Sequence, residues 1–136
     1  MRFLCWHVDY FNAVPKEHGR SSVIEQGEPL SVGESLLLFI SFDKGDELRK
    51  EDVIDKATAE IQKIAAEVKV GQLVLNPFAH LFSEPAPLQE AAIMLSMLNK
   101  SLLDRNFTVH KMAFGVFYEI ELKAKGHRLA RVSRSF

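Results

Sequence analysis

Three stretches of the sequence carry side chains of the kinds that do chemistry. The first is Asn76-Pro77-Phe78-Ala79-His80, which follows the apolar triplet Leu73-Val74-Leu75. In layered α/β domains ligands collect at the carboxyl ends of strands. A histidine there serves either as a polar contact or acid–base group, or as a loop side chain bonded to backbone. The second stretch is the basic run Lys123, Lys125, Arg128, Arg131 and Arg134, which has no Asp or Glu within it. Such local charge suits phosphate contacts, and equally suits a solvated strand face balanced by an acidic helix. The third is Phe114-Gly115, where glycine permits close approach of backbone to a ligand, or marks a bulge or turn. His7-Val8-Asp9-Tyr10 closes the first apolar strand, with Asp9 and Tyr10 read as turn formers. There is no Gly-rich phosphate loop, no serine nucleophile elbow and no His pair at metal spacing. The five histidines (His7, His18, His80, His110, His127) are scattered and Cys5 is the only cysteine, so neither a metal nor a cofactor is expected.

These groups need a scaffold, and the composition allows one domain over residues 1–136. The apolar fraction is 47%, enough for a buried core, and the formal net charge of −1 excludes a wholesale nucleic-acid coat. No apolar run reaches the length of a membrane span, and the first residues lack the pattern of a secretory signal. A single cysteine forms no internal disulfide, and the chain reads as cytoplasmic. Phe3-Leu4-Cys5-Trp6 predicts a buried strand, and the unbroken apolar run 36–40 a central one. Val53, Ala57, Ile61, Ile64, Ala65 and Val68 recur at helical spacing, predicting a helix over 52–68 that Gly71 ends. Residues 73–75 then form a short strand. Pro87 suits the first turn of a second helix with a stripe of Leu88, Ala91, Ala92, Leu95, Leu98 and Leu102, and Asn106 stops it. From 116 to 124 the period is two: Val116, Tyr118, Ile120, Leu122 and Ala124 share a face. A hairpin turn at Lys125-Gly126-His127 returns the chain through 129–133. The sum is an α/β (α+β) domain of about six strands and two helices.

Four segments taken together are specific. They are His7-Val8-Asp9-Tyr10, Asn76-Pro77-Phe78-Ala79-His80-Leu81, Ala113-Phe114-Gly115, and Lys125-Gly126-His127-Arg128-Leu129-Ala130 with Ser133-Arg134 after it. In kind and spacing they resemble the N-terminal editing domain of archaeal threonyl-tRNA synthetases, over nearly the whole chain. The resemblance implies a homodimeric fold like that of D-aminoacyl-tRNA deacylases. It implies proofreading, the hydrolysis of serine wrongly esterified to threonine tRNA, and the 3′ acceptor end of tRNA(Thr) as partner. A synthetase catalytic domain stands either in the same chain or in a separate one.

By match to the family, Pro77, Phe78, Ala79 and His80 bind the terminal adenosine and aminoacyl group largely through main-chain atoms. Ser41-Phe42 and Phe114-Gly115 complete the pocket, while Lys125, Arg128 and Arg134 contact tRNA phosphates. His80 positions substrate and selects serine over threonine. Two family positions depart: a lysine falls on Tyr118 and a glutamate on Arg131. A phenol exchanges hydrogen bonds but is no ammonium, and a guanidinium is no carboxylate base. Either catalysis is lost, leaving a silent tRNA-end-binding or dimerisation module, or side chains were never its main agents. The second reading assigns the base-like role to the free 2′-hydroxyl beside the ester, with His80 and Tyr118 as the nearest protein groups. A D-aminoacyl-tRNA deacylase is the competing enzyme of the same fold.

Overall fold

A computed structural model describes residues 1–20 and 22–136. In chain order it contains β1 (Arg2–His18), β2 (Leu30–Val32), β3 (Ser35–Ser41), α1 (Lys50–Val68), β4 (Gln72–Pro77), α2 (Leu88–Leu103), β5 (Thr108–Lys111), β6 (Val116–Ala124) and β7 (Arg131–Ser135). All seven strands join one curled sheet, ordered β2-β1-β3-β4-β5, with β6 and β7 also on β1. The expected α+β class and two helices hold, with seven strands in place of about six. β3, β4 and β5 run parallel, joined through α1 and α2, and β1 is antiparallel to β3. Parallel strands need such crossovers, and their carboxyl ends therefore open on one edge of the sheet.

Strand alternation sorts the core into two layers. Phe3 and Cys5 of β1, Leu36, Leu38 and Ile40 of β3, and Leu73 and Leu75 of β4 face the helices. There they meet Val53, Ala57, Ile61, Ile64 and Ala65 of α1 and Met94, Leu95, Leu98 and Leu102 of α2. The other face buries Val8, Phe11, Ala13, Val32, Leu37, Val74 and Met112 as the sheet curls over itself. Thr58 is fully buried on α1, and its hydroxyl donates to the Ile54 carbonyl at 2.7 Å and accepts from the Ser101 hydroxyl at 3.0 Å. Burial pushes the Cys5 thiol up to about 12, so it behaves as a core side chain.

Three local expectations need correction. The first strand does not close at Asp9-Tyr10; β1 runs 17 residues to His18. Val8 pairs with Ala124 and Tyr10 with Lys123, so Asp9 is the extra residue of a bulge. Its carboxylate is satisfied by Lys125, which is why a turn-forming residue sits inside a strand. The segment at Lys125-Gly126-His127 is not a hairpin. β1 is long enough to take β7 along residues 2–6 and β6 along residues 8–18, so the two lie end to end and do not pair with each other. The linker between them wraps His7, whose N–H donates to the Ala130 carbonyl and whose carbonyl accepts from Lys125, both at 2.8 Å. Finally, α1 is ended by Lys69 in the left-handed conformation, two residues before Gly71. Pro87 caps α2 from just outside, and Asn106 takes a left-handed φ of 66° after the helix.

Candidate functional site

A cleft of about 530 Å³ opens at the carboxyl ends of β3 and β4. Ser41 and Phe42 of the β3 end form its floor with residues 76–80, and the start of α2 closes one side. Met112 to Gly115 and the inward side chains Val116, Tyr118 and Ile120 of β6 form the facing wall. Nine of the residues singled out above thus meet in one cavity: Ser41, Phe42, Pro77, Phe78, Ala79, His80, Phe114, Gly115 and Tyr118.

The Phe78 segment is held from beneath. Its N–H donates to the Ile40 carbonyl at 2.7 Å, and its carbonyl accepts the Ser41 hydroxyl. Arg2 donates to the Leu81 carbonyl at 2.9 Å, and its guanidinium lies 4.8 Å from the centre of the Phe82 ring. His80 follows in a 3-10 turn, exposed, with its ring edge-on to Phe78 at 5.5 Å. Among the described residues neither ring nitrogen has a hydrogen-bond partner, so the alternative of a loop histidine tied to backbone is not what is seen. Ala79 and His80 open the 3-10 turn, so their backbone N–H groups are ones the turn itself does not use.

The facing wall is fastened differently. The Tyr118 hydroxyl accepts the Ala113 N–H at 3.0 Å. The Glu25 carboxylate accepts the Phe114 N–H at 2.7 Å and takes the Lys111 ammonium at 3.0 and 2.9 Å. Burial alone would raise the Glu25 carboxyl, but the Lys111 ammonium and the Phe114 N–H outweigh it and hold it below the ordinary range. Glu25 N–H in turn donates to the Phe114 carbonyl at 3.0 Å, and Gly19 N–H to the Gly115 carbonyl at 2.7 Å. Gly115 has a φ of 78°, and a Cβ there would stand 2.4 Å from the Val23 carbonyl. The close approach that demands glycine is therefore to the chain's own segment, at a turn. Neither Glu25 nor Lys111 is legible from the sequence, because residues 22–29 have no periodicity and Lys111 sits on a four-residue strand.

Among the described residues no Asp or Glu lines the cleft. Arg131 does not reach it: this exposed residue on β7 stands opposite Trp6 of β1. Of the basic run, Lys125 is committed to Asp9 and, at 3.2 Å, to Glu34. Arg134 pairs with Glu60 at 2.9 Å, while Arg128 is exposed.

The segments around His7 and His127 meet at the opposite end of the sheet. His7 is buried, pairs with Leu36 at the start of β3, and lies about 13 Å in strand rise from the cleft floor at Ile40. Its Nδ1 lies 2.9 Å from His127 Nε2 and its Nε2 lies 3.2 Å from Glu34. Leu129 N–H donates to His127 Nδ1 at 3.3 Å, so His127 carries its proton on Nε2 and gives it to His7, which gives its own to Glu34. The Lys125 ammonium holds both Asp9 and Glu34 below the ordinary carboxylate range, with His7 adding to the effect. Salt bridges to those two carboxylates raise Lys125 in return. The two segments thus form a structural clasp, which explains their joint presence without a place in the cleft.

The sequence as a whole has recognisable relatives. It is 35% identical to a threonine–tRNA ligase of Thermococcus gammatolerans, 36% to one of Pyrococcus furiosus and 32% to one of Methanocaldococcus jannaschii. These matches cover 98–99% of the chain and 22% of each relative, so the chain spans about a fifth of their length. A solved structure titled c-Myc DNA Unwinding Element Binding Protein superposes over 100% of this chain and 99% of its own with a TM-score of 0.73. At 9% identity that likeness shows the fold alone, one mixed sheet with two helices. A family model described as the archaea-specific editing domain of threonyl-tRNA synthetase matches residues 1–136, and with relatives above 30% identity over the full chain, this protein belongs to that editing-domain family.

Proposed function

We propose that this chain acts as one editing domain that hydrolyses the ester of Ser-tRNA(Thr) and spares Thr-tRNA(Thr). A synthetase pocket built for threonine admits serine, because one missing methyl discriminates by only ~1–3 kcal/mol. A second site that excludes the larger amino acid uses steric overlap, which is penalised more sharply. The walls described above suit that task. The apolar 112–115 turn has its Ala113 and Phe114 N–H groups already bonded, so it offers shape in place of hydrogen bonds.

The observation that carries the mechanism is that, among the described residues, no carboxylate lines the cleft. Ser41 and Tyr118 have hydroxyls already engaged, and Arg131 lies elsewhere. The exposed imidazole of His80 stands at the rim, suited to positioning the aminoacyl group. The 2′-hydroxyl of the terminal adenosine, adjacent to an ester on the 3′-oxygen, orients or activates the attacking water. The N–H groups of Ala79 and His80, at the start of the 3-10 turn in the cleft lining, are the donors that stabilise the developing oxyanion. The partner is the 3′ acceptor end of tRNA(Thr), with the domain as a homodimer beside a synthetase catalytic domain in the same or a separate chain. Arg128 is exposed with no ion-pair partner among the described residues and contacts the tRNA backbone away from the cleft, with Lys125 and Arg134 drawn from their ion pairs only in the complex. The same census of the cleft supports a silent tRNA-end-binding module as a second reading. Hydrolysis of Ser-tRNA(Thr), Thr-tRNA(Thr) and a D-aminoacyl-tRNA by the chain separates the readings. Selective loss of serine is expected. Equal rates on serine and threonine refute the selectivity, preference for the D-ester favours the other deacylase, and binding without turnover favours the silent module.

A further inference from the structure

The mouth of the cleft carries two residues that the catalytic reading does not use. Phe117 is 63% exposed, although Val116 and Tyr118 on either side of it are partly buried. By alternation its side chain belongs to the outer face of β6, yet the residue lines the cleft and its ring lies beside Gly19, another lining residue. The β1–β6 register steps there from Pro15–Tyr118 to Glu17–Phe117, leaving Lys16 without a cross-strand partner and twisting the strand end. Gly19 lies close by: a Cβ on it would stand 3.9 Å from the Phe117 ring and 3.2 Å from the Gly115 carbonyl. The next residue, Arg20, lines the same mouth, is exposed and has no ion-pair partner among the described residues. Among the described residues it is the only Lys or Arg of the lining, and no acid accompanies it there. Glu17 stands across the ladder from Phe117, so an anion approaching the ring is directed to its Arg20 side.

An exposed ring beside an unpaired guanidinium matches one chemistry well. A base stacks on the aromatic face whatever its identity, and the phosphate of the same strand meets the cation. We propose that Phe117 and Arg20 form a subsite for the nucleotide that precedes the terminal adenosine, the ring stacking on its base and the guanidinium pairing with the phosphodiester that joins the two. This rests on the reading that the aminoacyl-adenosine end enters the cleft, since the strand must then leave over this lip.

The test compares serine esterified to adenosine, to the dinucleoside monophosphate CpA, and to intact tRNA(Thr), with wild type, Phe117→Ala, Phe117→Trp and Arg20→Ala. The two alanine variants should raise KM for seryl-CpA and Ser-tRNA about tenfold more than for seryl-adenosine, with kcat little moved, and Phe117→Trp should retain the wild-type ratio. An equal penalty on seryl-adenosine, or none on seryl-CpA, overturns the subsite. So does a fall in dimer mass on Phe117→Ala with the KM for seryl-CpA unmoved, which would make the ring a contact between copies. If wild type hydrolyses none of the three, the deacylase reading fails on its own. The subsite is then decided by anisotropy with a 5′-fluorescein ACCA tetranucleotide and with fluorescein-labelled AMP. An approximately tenfold loss on the tetranucleotide alone supports it, and unchanged binding overturns it.

Discussion

Removing the Glu25 carboxylate should loosen the wall of the cleft by an amount the geometry bounds. Glu25→Ala leaves the partly buried Phe114 N–H without its acceptor at 2.7 Å and strips Lys111 of both contacts. A hydrogen bond to a charged group contributes about 1.5–3 kcal/mol. The Lys111 pair adds little, about 0–1 kcal/mol, because the Glu25 side chain is 40% exposed and solvent screens it. The sum is about 1.5–4 kcal/mol, which for a chain of this size lowers Tm by roughly 5–14 °C. Glu25→Gln keeps an oxygen for the Phe114 N–H and should cost about 1 kcal/mol. The functional readout is KM for the aminoacyl ester, since a mobile 113–115 turn no longer presents one pocket shape, and it should rise in alanine far more than in glutamine. The pH dependence has a definite sign. The Glu25 carboxyl is lowered from its ordinary 4.5, so its contribution is complete above that value and is lost as pH falls through the lowered one. Thermal unfolding by circular dichroism and steady-state deacylation check both parts. A Glu25→Ala protein with Tm and KM within error of wild type would refute the assignment of Glu25 as the anchor of this wall.

Three further outcomes follow from the same geometry. His80→Ala should change the ratio of serine to threonine hydrolysis more than it lowers turnover on serine, because the imidazole positions substrate; complete loss of turnover with intact binding would make it a general base. Tyr118→Phe and Arg131→Ala should each cost about tenfold or less, ~1.4 kcal/mol, in single-turnover hydrolysis, the first by freeing the Ala113 N–H and the second because Arg131 stands outside the cleft; a thousandfold loss in either would return that residue to the chemistry. Lys125→Met should flatten the fall of Tm on acidification, since Asp9 and Glu34 are held below their ordinary 3.8 and 4.5 mainly by Lys125 and the stability they confer is lost as pH falls through the lowered values; an unchanged acid profile would contradict the clasp.

Periodic stretches were legible because burial imposes a period. The alternation from Val116 matches β6 to both ends, and the apolar stripe from Val53 to Val68 marks α1 to within two residues. That the segment from Asn76 to His80 stands at the mouth of a strand, where it lines the cleft, was legible because its strand ends in polar and turn-forming residues. Partner choice was not legible. Asp9 and Tyr10 look like a turn, and only the Lys125 ammonium explains why the strand continues through a bulge. Lys125-Gly126-His127 looks like a hairpin, yet whether two strands pair or share a third strand's edge depends on the 17-residue length of β1, a non-local fact. Glu25, Arg20 and Phe117 were silent for the same reason, since each acts through a residue distant in sequence or through a register shift. Resemblance named nine residues that line one cleft together, while Arg131 lies on a strand outside that lining.

The central claim is that a cleft lined by no carboxylate hydrolyses the ester with help from the RNA. Single-turnover hydrolysis of Ser-tRNA(Thr) is the direct measurement, with the terminal adenosine carrying either ribose or 2′-deoxyribose and binding measured alongside. The deoxy substrate should bind as well and react more slowly by about a hundredfold or more, in the range general acid–base groups contribute. A deoxy substrate hydrolysed at the ribose rate would contradict the account and return the search for a base to His80 and Tyr118.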